Sequence, residues 1–149
     1  MSRMRGAAPF ATLWRRRNEV RIAGVGRIPV IALEDLVRVK KTQRDKDWLM
    51  LRRLIEADIT SHRWEEGATR ARFWLREART PAVLIELAGR FPGLARREAA
   101  RRPALRAALR RSAGSVGRAL EAEERSEREA DRRYWAPKSR ASGKPNPSG

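Results

Sequence analysis

Apolar and charged positions alternate near the start of the chain. Val20 and Ile22 alternate with charged residues, and Ile28 and Val30 follow after an Ala-Gly-Val-Gly stretch. Alternation on either side of a glycine-rich turn predicts a β-hairpin. Because Pro29 has no N–H group to donate, the second strand is expected to lie at an edge of the sheet or to end there.

Apolar residues then recur every three or four positions, which predicts helices. The first predicted helix contains Leu33, Leu36 and Val37 and ends near Lys41. A second is expected to begin with Asp47 as its N-cap. Its apolar stripe consists of Trp48, Leu51, Leu54, Ile55 and Ile59.

Two further helical stretches meet at Thr80-Pro81, where threonine suits the N-cap and proline the first turn. The earlier stretch holds Phe73, Trp74 and Leu75, and Pro92-Gly93 is expected to stop the later one. The later stretch has one apolar face, formed by Val83, Leu84, Leu87, Ala88 and Phe91.

The last third of the chain has fewer apolar anchors. A weak helix is predicted after Pro103, and a final helix from Val116 to Trp135 is rich in glutamate and arginine at i,i+4 spacing. Such a helix is expected to face solvent or a partner. Residues 136–149 form a Pro/Gly/Ser/Lys-rich run that predicts a disordered tail.

These elements predict an α+β, mostly helical fold, with an N-terminal hairpin packed on helices and a helical C-terminal region. We expect the chain to divide into an N-terminal part (1–60), a helical extension (61–135) and a disordered tail (136–149). The sequence contains no cysteine and no run of about 18 apolar residues, which excludes thiolate metal sites, disulfides and a membrane span. A cytoplasmic protein without a membrane partner is therefore expected.

The formal net charge is +17, which favours a polyanionic partner. Its 35 basic residues include only five lysines, namely Lys40, Lys41, Lys46, Lys138 and Lys144, so most of the charge is arginine. Such an excess of arginine over lysine also arises from GC-rich coding. Nucleic-acid binding and a merely solvated arginine-rich surface therefore both remain open.

The block from Phe10 to Ile59 resembles the C-terminal half of minimal nucleotidyltransferase-like domains of the bacterial toxin/antitoxin-associated type. In that family a strand runs into a P-V-[IL]-x-L-E-D-L-[IV]-x-x-K helix, and an R-x-K-D turn precedes a further helix. The residues that match are Pro29, Val30, Leu33, Glu34, Asp35, Leu36, Val37, Lys40, Arg44, Lys46 and Asp47.

The resemblance implies nucleotidyl transfer with a nucleotide and Mg²⁺ in an intact member, but the family's catalytic D-x-D strand is missing here. Asp45-Lys46-Asp47 has that spacing, yet it lies between two predicted helices rather than on a strand. We therefore expect no catalytic residues and no activity from this chain alone. It is either incomplete, with its start upstream of Met1, or a degenerate member that binds without reacting.

The residues expected to contact phosphate are Lys40, Lys41, Arg44 and Lys46. Lys40 and Arg44 lie four positions apart, so a helix that continued through both would place them on one face. The alternative is that these cations only complement the end of a helix. Asp47 is expected to be a structural or family-motif acid that caps the next helix.

Two other functions are compatible with the sequence. One is a basic module that binds nucleic acid or a protein partner in a toxin/antitoxin-like pair. The other is a helical scaffold whose arginine content reflects codon usage. If the hairpin lacks neighbouring strands, its free edge and the apolar face of Val20, Ile22, Ile28 and Val30 are expected to promote self-association.

Overall fold

A computed structural model describes residues 4–65 and 67–141. The α+β, mostly helical fold class is confirmed, because these residues form eight helices and one small sheet near the N-terminus. The elements are α1 (Phe10–Arg16), β1 (Asn18–Ile22), β2 (Gly26–Val30), α2 (Leu33–Val39), α3 (Asp45–Ser61), α4 (Ala68–Glu77), α5 (Pro81–Arg90), α6 (Pro92–Glu98), α7 (Pro103–Leu109) and α8 (Ala113–Ala141).

The predicted hairpin is present as an antiparallel pair of strands. Its register runs from Asn18 opposite Val30 to Ile22 opposite Gly26. The N–H of Val25 donates to the carbonyl of Ile22 at 3.1 Å, and Gly24 has a φ of 76°, which L-residues seldom adopt. All of β1 and most of β2 are exposed, so the hairpin packs on the helices far less than the sequence suggests.

The helices predicted near Leu33, Trp74 and Pro81 are present as α2, α4 and α5. Thr80 does occupy the N-cap of α5, but its hydroxyl donates to the Glu56 carboxylate rather than to the helix. Two helices were not predicted. α1 precedes the hairpin, and Pro92 begins α6 as well as ending α5, since proline is favoured in a first turn.

The apolar faces of α2 to α8 meet in one hydrophobic cluster that includes residues on both sides of position 60. Trp74 lies inside it with no exposed surface, and its indole N–H donates to Asp58 at 2.8 Å. The largest fully buried apolar side chains are Trp74, Leu51, Ile55, Leu75, Leu84, Leu105, Val37 and Val116. Residues 1–60 and 61–135 therefore share a core.

The long helix α8 is more involved in packing than its charged sequence suggests. Val116 and Leu120 are buried where α8 lies against α5 and α7. α8 also ends later than predicted, because it continues to Ala141 through the first residues of the expected tail. Residues 142–149 of that tail lie outside the described part. None of the described helices has the length and apolar character needed to cross a membrane.

Candidate functional site

The predicted phosphate-binding residues lie around the connection between α2 and α3. Lys40 follows the last residue of α2 and Arg44 directly precedes α3, so the two do not share a helix face. They nevertheless converge on Asp47. Lys40 Nζ lies 3.4 Å from Asp47 Oδ1, and Arg44 Nε lies 3.0 Å from Asp47 Oδ2.

Asp47 is not the N-cap of α3. Arg44 holds that position, and Asp47 is the third residue of the helix because the chain turns tightly at Thr42 and enters α3 at once. The Asp47 carboxylate is buried and accepts a 2.5 Å hydrogen bond from the Thr42 hydroxyl. Burial would raise the pKa of Asp47, but this hydrogen bond and the charges of Lys40 and Arg44 outweigh it and lower the pKa.

The other two predicted cations lie apart from this group. Lys41 Nζ forms an ion pair with Glu77 of α4 at 2.8 Å, on a different side of the α2–α3 connection. Lys46 is exposed and forms no ion pair with any residue that the structure describes. Lys40 and Arg44 do line one cleft of about 430 Å³ with Arg5, although Asp47 already pairs with both.

The acids of this region do not fit the Mg²⁺ that the family resemblance implies. Asp47 is enclosed by Lys40 and Arg44, and Asp45 pairs with Arg128 at 2.6 Å. Among the described residues, no group of three or more histidine, cysteine or acidic side chains has the arrangement of a metal site. Cations beside each carboxylate oppose the binding of another one.

A second charged cluster, which the sequence did not reveal, centres on buried Arg102. Its guanidinium donates to the carbonyls of Leu75 and Ala78, both at 2.7 Å, and to Glu123 at 3.0 Å. Burial lowers the pKa of Arg102, and the nearby Glu123 carboxylate partly opposes this effect. Arg79 lies 3.4 Å from the same carboxylate, so two arginines share one acid of α8.

Further ion pairs attach α8 to the N-terminal half. Arg5 pairs with Glu127 at 2.5 Å, and Asp131 accepts a hydrogen bond from the backbone N–H of Gln43 at 3.1 Å. Arg128 also donates to the Gln43 carbonyl at 3.0 Å. Glu123, Glu127 and Asp131 of α8 therefore pair with arginines or backbone groups of the preceding part of the chain, whereas Glu129 pairs with exposed arginines of α8 itself.

The arginines without a carboxylate partner concentrate between the end of α6 and the start of α8. Six of them are exposed, form no ion pair with another described residue and are not among the charges that act on Glu98, namely Arg96, Arg97, Arg106, Arg110, Arg111 and Arg118. A seventh exposed arginine, Arg101, is influenced by the Glu98 carboxylate and is not counted with them. We call these six the 96–118 arginine surface. On α7 the buried positions are 104, 105, 107 and 108, so Arg106 and Arg110 lie together on the solvent side.

Glu98 is the sole acid in that stretch, and it does not neutralise the surface. Arg76 of α4 binds it with two hydrogen bonds, of 2.7 and 3.1 Å, and Arg72 approaches to 3.3 Å. The hydrogen bonds from Arg76 lower the pKa of Glu98 and raise that of Arg76. This carboxylate is therefore occupied by cations of α4.

Comparison with known proteins adds no identity to this geometry. No family model matches the chain, and neither a curated protein nor a solved structure is significantly similar to it.

Proposed function

We propose that the protein binds nucleic acid through the 96–118 arginine surface, largely without reading its sequence. The observation that supports this most is the contrast in charge pairing. Lys40, Lys41 and Arg44 each lie beside a carboxylate, whereas the six arginines of the surface have no such partner among the described residues.

Unpaired guanidinium groups are suited to phosphate. An arginine that already pairs with a carboxylate must give up that pair before it binds phosphate, and an unpaired one loses only water. Each phosphate neutralised releases condensed counterions, which favours binding at low salt. Contacts to phosphate position a protein on nucleic acid but carry no sequence information.

Arg111 gives this surface a further feature. It has a φ of 55° at the end of α7, where its N–H donates to the Ala108 carbonyl and the N–H of Ser112 donates to the Ala107 carbonyl. This hydrogen-bond pattern ends many helices, and glycine is the usual residue at its left-handed position. An arginine there costs about 1 kcal/mol, and a phosphate contact would account for its presence.

The test is the salt dependence of binding to a fluorescent DNA duplex, followed by anisotropy. We expect Arg96→Gln/Arg106→Gln/Arg110→Gln to bind the duplex at least about tenfold more weakly than the native protein at moderate salt. The slope of log K against log salt should become shallower by about 0.9 for each phosphate that the variant no longer neutralises. Arg111→Gly should also weaken binding while stabilising the fold.

A matched variant controls for the loss of net charge. Arg15→Gln/Arg52→Gln/Arg53→Gln removes the same number of exposed arginines elsewhere, from α1 and α3. The proposal requires this variant to bind almost as the native protein does. Equal losses of affinity in the two variants would mean that net charge, rather than this surface, attracts the duplex.

Nucleotide binding at the α2–α3 connection is a second candidate. It is favoured by the cleft that Lys40, Arg44 and Arg5 line together, and by the family resemblance of the block around it. Calorimetry with a nucleoside triphosphate, with and without Mg²⁺, tests it directly. Micromolar binding that is abolished in Lys40→Ala/Arg44→Ala would support this candidate, and no binding by the native protein would remove it.

A further inference from the structure

The outer edge of β1 is able to accept another strand. Within the described residues the sheet consists of β1 and β2 alone, so each strand has one edge without a strand partner. β2 contains Pro29, which has no N–H to donate. β1 contains no proline, and all five of its residues are exposed. Of the two edges, β1 is therefore the one suited to β-pairing.

The sequence of β1 is complementary to itself. It reads Asn-Glu-Val-Arg-Ile, with Val20 at its centre. When two such strands pair antiparallel about Val20, Glu19 of each copy lies directly opposite Arg21 of the other. Opposite charges in directly facing positions stabilise a strand pair.

The same register also aligns the backbone groups. In an antiparallel ladder, residues of one parity direct their N–H and C=O groups toward one neighbour, and residues of the other parity direct theirs away. Pairing about Val20 matches residues of equal parity. The groups that point away from β2 in one copy therefore meet the equivalent groups of the other.

Arg21 is free to form these contacts, whereas Glu19 already has two arginine neighbours within its own chain and would share its carboxylate with a third. Arg21 has no ion pair with any described residue, and the Glu19 side chain is 45% exposed although it lies 3.4 Å from Arg17 and 3.6 Å from Arg27. On the other face of β1, Val20 is 45% exposed and would lie against Val20 of the second copy.

We propose that a second copy of this chain pairs its β1 with this edge, which produces a four-stranded sheet across a two-fold axis. The interface is isologous, so each favourable contact occurs twice. Five residues per strand bury a small area, and a dissociation constant of roughly micromolar is expected. This proposal does not depend on nucleic-acid binding.

Two complementary charge variants test the register. Arg21→Glu places glutamate opposite glutamate across the interface, and Glu19→Arg places arginine opposite arginine. Each variant alone should associate at least about tenfold more weakly than the native chain in sedimentation at about 0.15 M salt. An equimolar mixture of the two restores both opposite-charge pairs and should form mixed dimers.

Arg21→Glu also separates weakened association from weakened folding, whereas Glu19→Arg removes the contacts of Glu19 with Arg17 and Arg27 inside the chain. Arg21 lies opposite Arg27 within the hairpin, so Arg21→Glu adds a favourable pair inside each chain. Arg15→Glu on α1 makes the same charge change away from β1 and should leave association unchanged. A native protein that stays monomeric at high micromolar concentration would overturn the proposal. Dimerisation that is equally strong in both variants and in the native chain would also overturn it, because the exposed apolar face would then be the cause.

Discussion

Apolar side chains are buried in the helices from α3 to α8 but largely exposed in the N-terminal unit, which consists of α1 and the hairpin. Trp74 on α4 is completely buried, whereas Trp14 on α1 is 47% exposed and Phe10 is 75% exposed. The apolar pattern in both regions is regular. A pattern therefore determines which face of an element is apolar, but burial requires a neighbouring element that covers that face.

Charge pairing does not follow this division, because each region contains paired arginines, such as Arg16 with Asp35, as well as exposed unpaired ones, such as those of the 96–118 arginine surface. Inside the helical region, arginines such as Arg102 and Arg76 pair with glutamates from other helices, which keeps the core free of uncompensated charge. Arg15 and Arg21 in the N-terminal unit have no carboxylate partner among the described residues. The unit thus combines exposed apolar side chains with unpaired cations, as expected for a surface that contacts another molecule.

The largest difference between the regions should appear on truncating one tryptophan in each. Trp74→Ala removes a fully buried ring and leaves Asp58 without its indole donor, so the free energy of unfolding should fall by about 3–5 kcal/mol. Trp14→Ala removes a half-exposed ring and should lower it by less than about 1 kcal/mol. Urea unfolding followed by circular dichroism measures both, and equal decreases would contradict the division.

A buried arginine provides the next test. Arg102→Ala removes the donor to two backbone carbonyls and to Glu123, and we expect destabilisation of about 3 kcal/mol. Arg102→Lys should recover only part of this, because one ammonium group cannot reach all three acceptors. Thermal unfolding of both variants, with Arg15→Ala as the exposed control, gives the comparison. A destabilisation as small as that of Arg15→Ala would show that the cluster contributes little.

Acid should destabilise the helical region through its paired carboxylates. The folded-state pKa values of Asp47 and Glu98 lie below their ordinary values of 3.8 and 4.5. Their contribution is therefore complete above those values and is lost as the pH falls through the lower folded-state values. Asp47→Asn should cost about 1–3 kcal/mol at neutral pH and make stability less steep below about pH 4. Urea midpoints measured from about pH 7 to pH 2 give the dependence of stability on pH. The same pH dependence in Asp47→Asn and the native protein would contradict this prediction.

Two glycines allow the smallest comparison. Gly24 has a φ of 76° in the hairpin turn, so Gly24→Ala should weaken the hairpin by about 1 kcal/mol and accelerate its amide exchange. The global unfolding midpoint should barely change, because the hairpin is not part of the core. Gly89→Ala in α5, where an added Cβ meets no atom within 4 Å, should instead stabilise by about 0.5–1 kcal/mol. A lower global midpoint for Gly24→Ala would show that hairpin and core unfold together.

Local patterns in the sequence predicted the hairpin and most of the helices. The alternation at Val20 and Ile22 predicts a strand from neighbouring residues alone, and Thr80-Pro81 likewise predicts the start of a helix. Pro92-Gly93 is a signal for the end of α5, but proline is also favoured in a first turn, so this dipeptide does not distinguish a loop from the start of α6. The sequence gives no local signal for Arg102 binding Glu123, since 21 positions separate them and only the packing of α7 on α8 brings them together.

The candidate site was predicted only in part. The shared helix face expected from the spacing of Lys40 and Arg44 is wrong, because the two lie on either side of a break between helices and converge on the Asp47 carboxylate. Their contact with phosphate stays a prediction. The sequence does not single out the 96–118 arginine surface, because basic residues are spread over the whole chain. Which arginines pair with acids depends on tertiary contacts, so the sequence alone does not define this surface.

One titration tests the central claim that function resides in unpaired rather than paired cations. The native protein, Arg96→Gln/Arg106→Gln/Arg110→Gln and Lys40→Gln/Arg44→Gln are each titrated with the same DNA duplex at several salt concentrations. We predict that the first variant loses affinity and salt dependence while the second stays close to the native protein. The reverse order would place the binding site at the α2–α3 connection and contradict the account.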